Sequence, residues 1–332
     1  MRNYPLLDIY EPQCPELLTA AARTAPMVRL AQVGMNCGCE YTAYPRFARC
    51  GGYSRYLHSV GAARIVWHFT RDPAQAMAAL LHDIATPPFA HVIDFLRGDY
   101  LTQEATEDGT AEIIAASPEL QAVLHRAGLT TADVCDYHRY PIADNDTPRL
   151  CADRLEYTLG NLYFFALRPV EEIRRFYDDL TVLTGEDGTP EPGFRHAGIA
   201  LDFANAAMEC AEIYVADTDR YVMQMLSELI GDALHAGVLT EQDLRGTEPP
   251  LIEKLTAHPA FARRWQDFRA LGRIETSPVD RGGAWRRIYA KKRYIDPLTA
   301  EGRCSALDDA FAARLREFRG RPQDYWVRGA AL

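Results

Sequence analysis

Two histidines and two aspartates, spread over three segments with helical periodicity, constrain the fold of this chain more than any other feature. They are His58, the adjacent pair His82 and Asp83, and Asp153. Imidazole nitrogens and carboxylate oxygens together form a suitable ligand set for a divalent transition metal. A site that uses all four residues requires the three helices that carry them to pack side by side.

The sequence around the adjacent pair predicts that it is buried at the end of a helix. His82 and Asp83 follow an apolar run, residues 77–81, and precede a break at Pro87-Pro88. Burying an unpaired carboxylate is costly, and a metal or another cation is the usual compensation. A single histidine in an apolar helix, such as His58, is more often a core residue, but four such residues in this order favour a metal site.

The order of these residues also resembles a known family. The three motifs are Arg55-Tyr56-Leu57-His58, Leu81-His82-Asp83-Ile84 and Ala152-Asp153-Arg154-Leu155-Glu156. The H…HD…D order resembles the HD-domain metal-dependent phosphohydrolases, and within them the deoxynucleoside triphosphate triphosphohydrolase branch, over residues 27–161. The resemblance implies that a metal-activated water cleaves the phosphoester at the 5′ oxygen of a nucleotide, in particular a deoxynucleotide. It also implies a homo-oligomer and a divalent ion, with Mn, Fe, Co, Ni, Zn and Mg all compatible with the ligand set.

Helical periodicity dominates the chain and predicts a mainly α fold. The resemblance specifies an HD-domain helical core, to which the pattern adds a helical C-terminal half and a small β-hairpin appendage. Residues 39–50 are interpreted as a short hairpin or a loop. The predicted helices cover residues 16–22, 27–33, 54–70, 73–84, 88–97, 102–116, 118–127, 147–165 and 306–319.

A polar stretch divides the chain. Residues 184–193 are rich in glycine and proline, which favours a loop. It predicts a boundary between a metal-binding helical core, residues 1–183, and a helical C-terminal region, residues 194–332. In the second region, Gly282-Gly283 and the aromatic and basic residues after it predict a short β segment near residues 284–295.

Composition narrows the classes of partner. The formal net charge of -10 argues against a protein that coats nucleic acid, because phosphate binding needs clustered Lys and Arg. None of the 8 cysteines forms a C-x-x-C pair, so free thiols in a reducing compartment are expected. The N-terminus lacks the apolar stretch of a signal peptide, and no run approaches the ~20 apolar residues of a membrane span. These features predict a cytoplasmic protein that has no membrane partner and binds a small-molecule nucleotide.

A second His–Asp pair follows the metal motif. His91 and Asp94 are three residues apart, so a helix places them on one face, where the carboxylate can orient the imidazole and hold it protonated. In the family, the matching histidine protonates the departing 5′ oxygen. The resemblance therefore implies that His91 is the catalytic acid and Asp94 its partner.

The phosphate contacts follow from the resemblance. Arg55 matches an arginine that contacts the α-phosphate, and its position one helical turn before His58 suits a guanidinium fork. Arg154 and Tyr157 match positions at which a lysine and a tyrosine reach the phosphates.

The sugar contacts also follow from the resemblance. Asn161 matches an aspartate that meets the 3′-hydroxyl, and Tyr214 matches a tyrosine that stacks near the sugar. Gln32 matches a glutamine that binds the same hydroxyl, and Val33 lies where a ribose 2′-hydroxyl would be placed. Together Gln32 and Val33 imply a preference for deoxyribose.

The chain departs from the family at its proton carriers. The family's second catalytic histidine is replaced by Thr86, and a later one by Gln103. Because neither side chain titrates near neutral pH, catalysis has to rest on the metal, His91 and Asp94.

A second departure concerns the phosphate tail. The basic residues that follow Tyr214 in triphosphate-cleaving members are replaced by Ala216 and Asp217. A triphosphate carries about four negative charges, so an aspartate beside its tail is unfavourable. This favours a substrate with fewer phosphates, or a tail held by Arg220 or by the basic run 291–293.

Two alternatives remain open. A diiron HD-type oxygenase needs two further histidines between the His-Asp pair and the last aspartate, and His125 and His138 lie in that interval. A catalytically inactive nucleotide-binding sensor would account for the two replaced histidines. Metal stoichiometry and turnover assays separate these hypotheses.

Overall fold

The computed structural model describes residues 4–98 and 109–332, and within them the fold is mainly α-helical, as predicted. The helices are α1 Leu6–Tyr10, α2 Glu16–Ala22, α3 Ala25–Arg29, α4 Arg55–Thr70, α5 Pro73–Leu81, α6 Val92–Arg97, α7 Thr110–Ala116, α8 Pro118–Arg126, α9 Thr131–Val134, α10 Ala152–Phe164, α11 Val170–Asp178, α12 Ala197–Tyr214, α13 Asp217–His235, α14 Glu248–Ala257, α15 Pro259–Arg269, α16 Cys304–Leu307 and α17 Asp309–Gly320. Short 3₁₀ turns connect several of them, at Leu30–Gln32, Cys39–Tyr41, Pro45–Phe47, Cys50–Gly52, Tyr137–Arg139 and Asp243–Arg245.

Two small sheets complete the described structure. The strands are β1 Leu180–Thr184, β2 Pro190–Phe194, β3 Leu271–Ser277, β4 Arg286–Arg287, β5 Leu298–Thr299, β6 Gly302–Arg303 and β7 Trp326–Ala331. One sheet has the order β1-β2-β5-β6, in which β1 and β2 are antiparallel and β2 is parallel to β5. The other has the order β3-β7-β4, with both pairs antiparallel.

The β elements differ from the sequence-based expectation. The polar stretch 184–193 is not a loop throughout: it contains the end of β1, the hairpin turn 185–189 and most of β2. Of the predicted β segment 284–295, only β4 pairs with a strand. Further along that segment, Ala290, Lys291 and Arg293 line a large cavity instead.

Two helices begin later than predicted. The helix expected over 88–97 begins at Val92, because Phe89 and Ala90 have positive φ angles of 62° and 49°. The helix expected over 147–165 begins at Ala152, where the Cys151 side chain accepts the N–H of Arg154. The first part of the helix predicted over 102–116 lies outside the described residues.

Buried side chains form two clusters. The first contains the apolar faces of α4, α5 and α10 together with Phe203 of α12 and Phe311 of α17. The second surrounds α13 and includes Phe89, Leu226 and Trp265. The residues that line the large cavity include His82, which follows α5, and Met223 of α13. No helix in 4–98 or 109–332 has the length and apolarity needed to cross a bilayer.

Candidate active site

The four residues predicted to bind a metal converge on one point. α4 packs against α5 and α10, which brings His58 in mid-helix beside the end of α5 and the first turn of α10. His58 Nε2 lies 2.9 Å from Asp153 Oδ1, 3.2 Å from His82 Nε2 and 3.8 Å from Asp83 Oδ2. His82 Nε2 lies 3.5 Å from Asp83 Oδ2 and 3.6 Å from Asp153 Oδ1.

The hydrogen bonds of the two imidazoles fit a metal at this point. His58 Nδ1 donates to the Glu156 carboxylate at 2.6 Å, and His82 Nδ1 donates to the Ala79 carbonyl at 2.7 Å. With Nδ1 engaged in this way, each ring presents Nε2 to the cluster, and a bound cation would take the place of the proton that His58 Nε2 shares with Asp153. A metal with bonds of about 2.0–2.2 Å places neighbouring ligand atoms about 3 Å apart, which agrees with the observed spacing. The donor set therefore fits a divalent cation.

Electrostatics keep the two aspartates ionised. Burial opposes the charge of Asp83, but Arg55 and His82 hold the pKa of Asp83 well below its usual range. The pKa of Asp153 is also lowered, against burial, by its hydrogen bond to His58. Burial likewise opposes protonation of His58, yet Asp153 and Glu156 raise its pKa to about 10. The cluster is thus strongly attractive to positive charge.

Glu156 is a part of the site that the sequence analysis did not assign. It is fully buried one turn after Asp153 on α10 and accepts hydrogen bonds from His58, Tyr4 and Tyr53, the two tyrosine bonds being 2.7 Å long. A Cβ at Gly61 would lie 2.6 Å from the Glu156 side chain, so glycine is needed for the carboxylate to reach His58. The three-residue spacing from Asp153 was the signal that could have identified it.

Arg55 and Thr86 both contact Asp83. Arg55 Nη1 donates to the two Asp83 oxygens at 2.9 and 3.2 Å. Thr86, at the position of a family histidine, donates its hydroxyl to Asp83 Oδ1 at 2.8 Å. Arg55 also lines the cavity, so the same guanidinium supports a ligand and faces the space where a substrate would lie.

The predicted pair of His91 and Asp94 is present. Asp94 is fully buried, and its Oδ2 lies 2.8 Å from His91 Nδ1. The pKa of His91 is nevertheless lowered, because burial outweighs the hydrogen bond to Asp94, and Arg55 and Arg293 lower it further. Asp94 thus orients the imidazole and opposes this lowering of its pKa, but burial has the larger effect.

The turn that precedes His91 is anchored by Glu248. This residue opens α14, is 2% exposed and accepts the backbone N–H groups of Gly34 and Phe89 at 2.7 and 3.2 Å. Its other oxygen accepts the Tyr41 hydroxyl at 2.6 Å. These bonds fix the left-handed backbone at Phe89 and Ala90, and with it the position of His91.

The metal cluster opens into a cavity of about 660 Å³. Arg154, Tyr157, Asn161 and Tyr214, which the resemblance assigns to substrate contacts, all line it. Asn161 Nδ2 donates to the Tyr214 hydroxyl at 2.8 Å. Arg154 is held by the Arg149 carbonyl at 2.8 Å, by Asp144 and by Asn145, so its guanidinium is fixed in place.

Gln32 and Val33 are not brought to this cavity. The Gln32 side chain is exposed and accepts a hydrogen bond from Thr247 at 3.0 Å, while Val33 is fully buried. The reason is local: α3 ends at Arg29, a 3₁₀ turn follows, and the Val33 carbonyl accepts the N–H of Arg55. The helical geometry assumed for these two residues is therefore absent.

The residues considered for the phosphate tail are also arranged differently. Asp217 pairs with Arg220 at 2.6 Å, and Arg220 is fully buried, so neither lines the cavity. Asp219 lines it instead, together with Lys291 and Arg293. The pKa of Asp219 is raised to about 7, chiefly by burial.

The histidines considered for a second metal are separated. His138 lines the cavity, whereas His125 lies exposed on α8 away from it. Gln103, the second replaced histidine, lies outside the described residues.

Comparisons with known proteins agree with this site. No family model matches the chain. It is 25% identical over 261 residues to the metal-dependent phosphohydrolase cns2 of Cordyceps militaris, covering 74% of this chain and 70% of that protein. It is 24% identical over 205 residues to the uncharacterized protein YdhJ of Bacillus subtilis, a match that spans 61% of each chain and thus less than two thirds of YdhJ.

The fold is also shared with a solved structure. A phosphohydrolase from Bacteroides thetaiotaomicron superposes with a TM-score of 0.64 at 14% identity, covering 96% of this chain and 97% of that one. At this identity the likeness establishes the fold. Together with the cns2 match and the His–Asp cluster, it supports an HD-type metal-dependent phosphohydrolase.

Proposed function

We propose that this protein hydrolyses a nucleotide at the phosphoester of its 5′ oxygen, with a divalent metal held by His58, His82, Asp83 and Asp153. One observation carries the proposal. Three of the four proposed ligands, His82, Asp83 and Asp153, line the same cavity as His91, Arg55 and Arg154, and His58 Nε2 lies behind them, 2.9 Å from Asp153 Oδ1. A phosphate bound at the cluster would therefore lie among an acid and two cations. Such a combination is suited to phosphoryl transfer to water.

The metal supplies Lewis-acid polarisation of a phosphoryl oxygen and a water of lowered pKa. His91 donates a proton to the departing oxygen through Nε2, since Nδ1 is bonded to Asp94. A phosphate beside His91 opposes the effect of Arg55 and Arg293 on its pKa and so favours the protonated ring. Arg55 and Arg154 offset charge on the phosphoryl oxygens.

The charges of the cavity wall favour a nucleoside monophosphate as the substrate. The acidic lining residues are Asp83, Asp144, Asp146, Asp153 and Asp219, and the lysines and arginines are Arg55, Arg154, Lys291 and Arg293. Arg55 and Arg154 already contact the carboxylates of Asp83 and Asp144, respectively. Even with a divalent ion bound, the cavity wall would carry little net positive charge. This favours a substrate with one phosphate group over a substrate with three.

Sugar recognition is assigned to Asn161, Tyr157 and Tyr214. These residues lie together on the cavity wall, with the two tyrosine rings 5.9 Å apart in an edge-to-face arrangement. Because Gln32 and Val33 do not line the cavity, they provide no support for selection against ribose. The preference for deoxyribose is a prediction to be measured.

A nucleotide panel tests the proposal. Purified protein with Mn²⁺ is incubated with deoxy- and ribonucleoside mono-, di- and triphosphates, and the products are separated by chromatography. We expect nucleoside and inorganic phosphate from a monophosphate, with activity lost in Asp153→Asn and kept in His125→Ala, a matched exposed histidine. Light scattering on the same preparation measures the expected homo-oligomer.

Two outcomes would replace the proposal with an alternative. Tight binding of nucleotides without turnover across the panel would identify a sensor. Two iron atoms per chain with oxygen-dependent turnover would identify the HD-type oxygenase.

A further inference from the structure

We propose that His138, oriented by Asp144, is a second proton-transfer group of this site and accepts the proton of the attacking water. The inference rests on the proposed phosphohydrolase function. It assigns to the chain two His–Asp pairs with different tasks, one at the departing oxygen and one at the nucleophile.

The local geometry of His138 matches that of His91. His138 lies in the 3₁₀ turn Tyr137–Arg139, where the Asp136 carboxylate accepts its backbone N–H at 3.1 Å. Its Nδ1 lies 2.6 Å from Asp144 Oδ2, compared with 2.8 Å in the pair of His91 and Asp94. With Nδ1 bonded to a carboxylate, a histidine exchanges protons with a substrate through Nε2. Both histidines line the same cavity.

The His138 pair adjoins the metal cluster. Possible ligand atoms of Asp144, Cys151 and Asp153 all lie within 4.8 Å of one another. The Tyr137 ring has its centroid 4.9 Å from that of His82 and 4.4 Å from that of His138. His138 is thus connected to the metal cluster through two neighbours: Tyr137, which lies against His82, and Asp144, which lies close to Asp153.

A second proton carrier has a defined place in this reaction. Hydrolysis removes one proton from water and delivers one to the departing oxygen, and His91 accounts for the second transfer alone. Thr86 cannot accept the first, because a hydroxyl has no basicity near neutral pH and this one is bonded to Asp83. His138 is the remaining titratable imidazole on the described cavity wall besides His82 and His91.

The proton balance closes with these two groups. A bond forms between the water oxygen and phosphorus, and the bond from phosphorus to the departing oxygen breaks. The water proton passes to His138 and the His91 proton passes to the departing oxygen. Exchange with solvent returns both imidazoles to their starting states, and no oxidant or reductant is involved.

The two tasks can be separated by the leaving group. Deoxyadenosine monophosphate has a poor alkoxide leaving group and needs an acid, whereas p-nitrophenyl phosphate has a good one and does not. We expect His138→Asn to lower kcat by about 10²–10⁴-fold on both substrates. We expect His91→Asn to lower it by a similar factor on the nucleotide and by less than about tenfold on p-nitrophenyl phosphate.

Folding and metal content are controlled in the same preparations. The His138 side chain is 54% exposed, so His138→Asn should keep the unfolding midpoint of the parent protein. His125→Asn serves as a matched exposed histidine, with no change expected in kcat. Added imidazole should restore part of the activity of His138→Asn.

The inference is overturned by unchanged kcat in His138→Asn, or by a loss confined to the nucleotide. It is also overturned if the substitution removes a second bound metal ion, because His138 would then be a ligand. If the parent protein hydrolyses neither substrate, the proposed function itself is rejected. This outcome is distinct from failure of the inference about His138, in which the parent protein is active.

Discussion

Two buried glutamates in this protein have opposite surroundings. Glu156, behind the metal cluster, accepts three hydrogen bonds of 2.6–2.7 Å from His58, Tyr4 and Tyr53. Glu40, in the 3₁₀ turn Cys39–Tyr41, is buried near Glu248, no side chain donates to its carboxylate among the described hydrogen bonds, and only backbone N–H groups of its own loop approach it. Glu156 is thus surrounded by three hydrogen-bond donors, whereas Glu40 has a second carboxyl group beside it.

The difference shows how one residue type serves two purposes. Glu156 accepts from three donors, and its bond to His58 Nδ1 sets the orientation of that ring. Burial and the neighbouring Glu248 raise the pKa of Glu40 to about 8. Glu248 uses its donors from Gly34, Phe89 and Tyr41 to hold the turn before His91. Burial raises the pKa of Glu248 as well, although these donors oppose the shift. The buried pair therefore favours binding a proton.

We expect the largest effects, on stability and on metal binding, from substitutions of Glu156. Glu156→Leu leaves the Nδ1–H of His58 and two tyrosine hydroxyls without an acceptor, so we expect the free energy of unfolding to fall by about 3–5 kcal/mol. Glu156→Gln keeps the size and one acceptor, and should weaken Mn²⁺ binding by about 10–100-fold. Urea unfolding and competition with a chromophoric chelator measure the two effects.

Glu171→Gln on the exposed face of α11 is the control and should change neither quantity. If Glu156→Gln binds Mn²⁺ with the affinity of the parent protein, Glu156 does not position His58.

The second expectation concerns Glu40 and pH. Its pKa rises from 4.5 to about 8 on folding, so the folded state holds a proton that the unfolded state releases between these values. The contribution of Glu40 to stability is therefore greatest below pH 4.5, falls by up to about 1.4 kcal/mol per pH unit, and levels off above pH 8.

Glu40→Gln removes this dependence, so its stability relative to the parent protein should rise between pH 5 and pH 8. Urea unfolding at both values measures the change. Parallel pH profiles for the two proteins would mean that Glu40 is ionised in the folded state.

The smallest expected effect concerns the space that Glu156 needs. Gly61→Ala places a Cβ 2.6 Å from the Glu156 side chain and should destabilise the fold by about 1–3 kcal/mol through overpacking. Gly198→Ala in α12 meets nothing within 4 Å and should stabilise it by about 0.5–1 kcal/mol through helix propensity. Comparing the thermal unfolding midpoints of Gly61→Ala and Gly198→Ala separates crowding against Glu156 from the general effect of adding a methyl group to a helix. If the two variants have the same midpoint, Glu156 does not approach α4 closely.

Local patterns anticipated much of the site. Periodicity located α2, α4 and α5 to within a few residues, and a three-residue spacing identified His91 and Asp94 as a pair. These features depend on neighbours within one turn of helix, which the sequence specifies directly. Glu156 obeys the same rule relative to Asp153, yet its role depends on Tyr4 and Tyr53, which are distant in sequence.

The features that local patterns missed depend on distant segments. Gln32 and Val33 read as part of a helix, but the bridge between Gly34 and Ser54 and the bond from Arg55 to Val33 turn the chain away from the cavity. The turn at Phe89 and Ala90 is stabilised by Glu248, more than 150 residues later.

The sequence alone determined a mainly α fold and a cluster of imidazole and carboxylate ligands, because helical periodicity and ligand chemistry are properties of single segments. The tertiary structure alone decided which nitrogen of each imidazole faces the cluster, which buried glutamate meets side-chain hydrogen-bond donors, and which of the candidate substrate residues reach the cavity. Each of these depends on hydrogen-bond partners and burial contributed by segments far apart in the chain, and such partners exist only once the helices have packed.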